Sequence, residues 1–152
     1  MKIFALTVSA LVLTAPFAFG QTNMVDVANP DAVKWQTGPA ALPKGAESSL
    51  LSGDMKTGPW VTRLKFPAGY VIPPHTHTNI ENVTVLSGDL HIGMGSKFDK
   101  ANTKVIDAGG YFMMPPGMQH FAYSEKGAVL QVHSNTESTI TYVDPQDDPR
   151  KK

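Results

Sequence analysis

Glycine, proline, asparagine or aspartate interrupts this chain every few residues between positions 60 and 143, and the segments left between the interruptions are short and rich in β-branched and aromatic side chains. With 13 Gly and 12 Pro in 152 residues, helices of ordinary length have no room to form. Strands are expected at 60–66, 70–72, 81–86, 90–94, 104–106, 111–114, 120–123, 128–133 and 140–143, with an earlier one at 46–51 turned by Ser52-Gly53-Asp54. Ser87-Gly88-Asp89 and Pro67-Ala68-Gly69 read as hairpin turns. Closely spaced strands joined by tight turns predict an all-β antiparallel sandwich or barrel in a single domain.

The first twenty residues follow another logic. Lys2 precedes an apolar run from Ile3 to Leu13, and Pro16, Ala18 and Gly20 follow it. The run is about half the roughly 20 residues that a membrane span needs, so the pattern predicts a signal peptide cut after Gly20, with no stable membrane span after processing. Export to a periplasm or to the extracellular space is expected. Residues 21–58 are then an N-terminal extension carrying the first strand, 59–143 the barrel, and 144–152 a polar tail lying exposed or only loosely docked. Thirteen basic residues balance thirteen acidic ones, so the electrostatic footprint of a nucleic-acid binder is missing.

The absence of cysteine removes disulfides, thiolate nucleophiles and thiolate metal sites, and leaves any metal to histidine and carboxylate. His75 and His77 are two residues apart, a spacing that puts both on one face of a strand. Glu81 follows closely, and His120 arrives on another predicted strand just past Pro115-Pro116-Gly117. Together they make a nitrogen and oxygen donor set suited to a divalent transition metal. Pro73-Pro74 cannot donate to a ladder, which predicts a strand end or edge just before His75.

These residues sit in a pattern that resembles the cupin superfamily. Its first motif is met at Gly69, His75, His77, Glu81 and Gly88, and its second at Gly109, Pro115, Gly117 and His120, with Ser124 where the motif closes on asparagine. The resemblance implies a small jelly-roll barrel with one metal ion, iron, manganese, nickel, cobalt or zinc, held by His75, His77, Glu81 and His120. The whole mature chain also resembles a group of small single-domain bacterial cupins from which no substrate carries over. Pairing of two barrels into a homodimer is a family-level expectation.

Three functions are compatible with this reading. A metal-dependent, dioxygenase-like oxidoreductase acting on a small organic molecule is preferred. A non-catalytic module that binds or senses a small ligand is the alternative, and a metal-dependent isomerase or lyase is the third. The last needs a base outside the metal shell, for which His133, His91 or a tyrosine is available. His133 shares strand parity with Gln131, and Arg63 could clamp a carboxylate if it turned inward. An outward position beside Lys65 suits Arg63 better, because charges are seldom buried unpaired.

Overall fold

The computed structural model describes residues 29–152. The signal peptide expected at residues 1–20 lies outside the described residues. Ten strands follow in chain order: β1 (Gln36–Thr37), β2 (Glu47–Gly53), β3 (Trp60–Phe66), β4 (Val71–Thr76), β5 (Glu81–Met94), β6 (Thr103–Asp107), β7 (Tyr111–Met114), β8 (His120–Tyr123), β9 (Ala128–Ser134) and β10 (Thr141–Tyr142). Among the described residues the helical pieces are four single 3₁₀ turns.

Every pairing is antiparallel. One sheet runs β1-β2-β3-β9-β5-β7 and the other β6-β5-β8-β4-β10. Strand β5 belongs to both, so the ladder is continuous and curls around one interior. The fold is the all-β antiparallel barrel of jelly-roll type.

The passage of β5 between sheets corrects the hairpin expected at Ser87-Gly88-Asp89. The chain does not reverse there. Residues Glu81 to Gly88 pair with β7 and β9, residues Asp89 to Met94 pair with β6 and β8, and a register shift separates Val85 from Ser87. Gly88 makes the crossing at φ 77°, and a Cβ on it would lie 1.9 Å from the Gly127 carbonyl oxygen. Only glycine fits this corner. Pro67-Ala68-Gly69 is likewise a turn, with Tyr70 N–H donating to the Pro67 carbonyl, but it joins β3 of one sheet to β4 of the other instead of closing a hairpin.

The register shift also resets which side chains face inward. Val83 and Val85 are buried before it and Leu90 after it, a change from odd to even positions that keeps both halves of β5 lining one core. On β3 and β9 the alternation is regular: Trp60, Thr62, Leu64 and Phe66, and Leu130 and Val132, are buried, and the residues between them are not. Each fully buried aliphatic side chain contributes on the order of 2 kcal/mol. Phe121 is buried on the opposite side of its sheet, seated over Gly93 and against Phe98.

The tail is better anchored than expected. Asp148 is buried and accepts from the Arg150 guanidinium at 2.7 and 2.8 Å, while the same guanidinium donates to the Ile140 carbonyl. The side chains of Asp144 and Asp148 cap the two closing 3₁₀ turns.

Candidate metal centre

Pro73-Pro74 lies inside β4 rather than at its end, and neither proline has a register partner, since β10 pairs only with His75 and Thr76. The prolines are accommodated by a register irregularity between Ile72 and His75, where the missing N–H groups cost no ladder bond. The irregularity has a second effect. Ile72 and His75, an odd number of residues apart, both line the interior.

His77 follows immediately after β4, Glu81 opens β5 and His120 opens β8. Opposite His75 in the register stands His120. The ring centroids of the three histidines lie 4.2 Å (His75–His120), 4.9 Å (His75–His77) and 5.2 Å (His77–His120) apart, and one ring nitrogen from each comes within 4.8 Å of the others. Glu81 Oε2 is 3.6 Å from Nε2 of His77 and 3.9 Å from Nε2 of His120.

The outward ring nitrogens are already committed. Nδ1–H of His75 donates to the Pro73 carbonyl at 2.7 Å, that of His120 to the Met118 carbonyl at 2.9 Å, and that of His77 to the Thr139 carbonyl. A carbonyl can only accept, so each Nδ1 carries a proton and each Nε2 is the ring nitrogen free to meet a ligand. Burial, then the neighbouring His120 and His77 rings, push the His75 imidazole down to about 2, and burial holds His120 below its ordinary value. The three histidines converge with Glu81 Oε2 beside two of them, His77 and His120, and Nε2 of His77 is buried without a hydrogen-bond partner. Neutral imidazoles and a carboxylate suit iron, manganese, nickel, cobalt or zinc.

Thr139 is the partner that the sequence did not announce. Besides the bond to His77, its hydroxyl accepts from Thr78 N–H at 2.8 Å and pairs with the Thr78 hydroxyl at 2.7 Å, while its own N–H donates to Asn79 Oδ1. The segment between β9 and β10 is thereby tied to the ligand loop. His75 and His120 find their carbonyls two residues back on their own chain segments, a local offset; His77 depends on this distant one.

The four residues close one end of a cavity of about 430 Å³, counted out to its mouth, whose other lining side chains are all hydrocarbon. A second chamber of about 440 Å³ shares His77, Glu81, Leu42, Leu64, Val132 and Ile140 with the first and reaches Ser138 and Thr139. Two tyrosines pin the adjoining segment: Tyr70 OH donates to the Pro43 carbonyl at 2.6 Å and Tyr142 OH to the Ala41 carbonyl at 2.7 Å.

Arg63, Gln131 and His133 are not in this cavity. They alternate along β3 and β9 with the buried residues that line it, and strand parity turns them to the other side of the sheet, where Arg63 and Gln131 are register partners. His91 also lies away from the site, stacked on Tyr123 with its Nε2 2.9 Å from Asp89 Oδ2. Asp89 is buried and accepts from the backbone N–H groups of Glu125 and Lys126 and from the Ser124 hydroxyl. Ser124, standing where the motif has asparagine, thus keeps a polar link in its turn.

A jelly-roll barrel with this histidine group at one end of its interior defines a cupin. The model of the ChrR Cupin-like domain matches residues 23–138, and the chain belongs to that family. Over 78 residues it is 38% identical to Germin-like protein 5-1 of Oryza sativa subsp. japonica, a match covering 51% of this chain and 35% of that protein. The chain spans about a third of the length of the germin-like relatives it matches. Among solved structures, the polyketide cyclase RemF from Streptomyces resistomycificus superposes with a TM-score of 0.68 at 19% identity, over 84% of this chain and 92% of that one. Recombinant oxalate oxidase in complex with glycolate gives 0.52 at 25% identity, over 71% and 60%.

Proposed function

We propose that the protein is an exported, mononuclear metal-binding cupin in which His75, His77, Glu81 and His120 hold one divalent transition metal, and that it is an oxygenase-like enzyme acting on a small organic molecule. The observation that carries the reading is the convergence of three histidines whose Nδ1 groups are fixed by backbone carbonyls, which turns each Nε2 inward. A redox-active ion held there supplies electron transfer to dioxygen. The chain's own part is to orient the imidazoles, to keep bulk water from the reacting molecule with a hydrocarbon wall, and to present Glu81 at the cavity end. The likeness to oxalate oxidase supports oxidative chemistry, and the leader pattern at residues 1–20 supports export.

Elemental analysis of the protein from its native compartment, followed by oxygen-uptake assays on metal-loaded protein, tests this. One equivalent of iron or manganese with substrate-dependent oxygen uptake is expected. Stoichiometric zinc with no uptake across a broad substrate panel would overturn the oxygenase reading.

A non-catalytic metal-bearing module that binds or senses a small ligand is the second reading. It is supported by membership of the ChrR Cupin-like family and by the cavity's lack, among the described residues, of a titratable group beyond the four. The same observation weighs against an isomerase or lyase, since His91 and His133 both lie outside the cavity. If Glu81→Ala removes the metal and leaves ligand binding intact, the sensing version that docks its ligand on the metal fails.

A further inference from the structure

We infer that this cavity selects a compact monoanion, with one oxygen head at the histidine and glutamate end and a hydrocarbon body, and that it rejects dianions. The inference rests on the metal reading above, because without a cation Glu81 itself would repel an anionic head. The argument is charge balance in a dry space. An imidazole that ligates through Nε2 is neutral, so a divalent ion held by the three rings and the Glu81 carboxylate leaves a single net positive charge. One anionic head neutralises it. A second carboxylate would have to lie against Leu, Ile, Val and Phe side chains, and a buried charge without a partner is strongly disfavoured.

Neither chamber offers relief. Among the described residues, no lysine or arginine lines the first or the second. Arg63, which could have clamped a carboxylate, lies on the other side of the sheet. The second chamber's hydroxyls are largely committed: Thr62 Oγ1 donates to the Ser49 carbonyl, and Thr139 Oγ1 is bound to Thr78. What the walls do offer is apolar surface that rewards a hydrocarbon tail. Ile140 lines both chambers and is only partly buried, so a cation introduced there reaches either one.

The test loads the full protein with Co(II) and titrates its visible absorption with butyrate and with succinate near neutral pH, a pair with the same carbon count and differing by one carboxylate. Butyrate is expected to bind at least about tenfold more tightly than succinate. Ile140→Lys, or Leu42→Lys if the first variant does not fold, should reverse that order by supplying the missing positive charge. Succinate binding as tightly as butyrate to cobalt-loaded wild-type protein would overturn the inference while leaving the metal site standing. Failure to take up cobalt with a ligand-field spectrum would overturn the metal reading itself.

Discussion

His75 and His120 stand directly opposite each other across the β4–β8 ladder, with ring centroids 4.2 Å apart, although each comes from a different motif of the sequence. Backbone pairing therefore sets the distance between them before any ion arrives. The sheet thus builds this pair, while His77, just past the end of β4, is held by the Thr139 carbonyl.

His75→Ala or His120→Ala should leave the ladder intact and lower Co(II) affinity by more than the roughly 10- to 100-fold cost of losing an outer-sphere partner. Competition titration against a chelator measures this, with circular dichroism confirming that the β-sheet signal is unchanged. Wild-type affinity in either variant would show that the ion, if bound, sits elsewhere.

Thr139 orients His77 from a distance. Thr139→Ala removes the hydroxyl links to Thr78 and should loosen the segment whose carbonyl receives the His77 proton. Metal affinity is expected to fall about tenfold, with a changed Co(II) absorption band. Thr139→Ser, which keeps the hydroxyl, should restore both. A Ser variant as weak as the Ala variant would place the effect in packing instead.

Gly88→Ala forces a Cβ to within 1.9 Å of the Gly127 carbonyl oxygen at a residue with φ 77°. Because the obstacle is backbone, it cannot rotate away. A loss of about 3 kcal/mol or more is expected, visible as a lower urea midpoint or as protein that fails to fold. Near-wild-type stability would mean that β5 does not cross between sheets at this residue.

Asp89 carries a pH signature. Burial alone would raise its carboxyl, but the Lys126 and Glu125 amides and the His91 ring outweigh that and hold it below the usual carboxylate value. The folded state thus binds this proton less readily than the unfolded one. Its contribution is fully present above the unfolded value of about 4 and is lost as pH falls through the lower folded value. Asp89→Asn should reduce stability at neutral pH and flatten its decline below about pH 4, as read by urea titrations at several pH values. An unchanged acid slope would remove Asp89 as its source.

Much of this was legible in the sequence where the signal was local. Strands at 60–66, 111–114 and 120–123 follow from alternation and flanking turns, and they are present as β3, β7 and β8. The histidine group could be read from the spacing of the two motifs, although His77 lies just past β4 and not on the strand that parity assumed. What escaped was decided at long range. Ser87-Gly88-Asp89 has the composition of a hairpin, and only the distant Gly127 and Ala128 backbone shows that the chain bends onward. Pro73-Pro74 reads as a strand end or edge, and only the irregularity beside it shows how β4 continues through the pair. Thr139 gave no signal as a partner of His77, since what it offers that ring is a carbonyl, which every residue possesses.

A strand that serves two sheets has a mechanical consequence. Because β5 runs through both, neither sheet can come away without breaking the strand that centres the other, and slow amide exchange at Val83 and Val85 should vanish together with that at Leu90 and Ile92. The molecule would then come apart as one cooperative unit, and the imidazole cluster would persist until the last cooperative step.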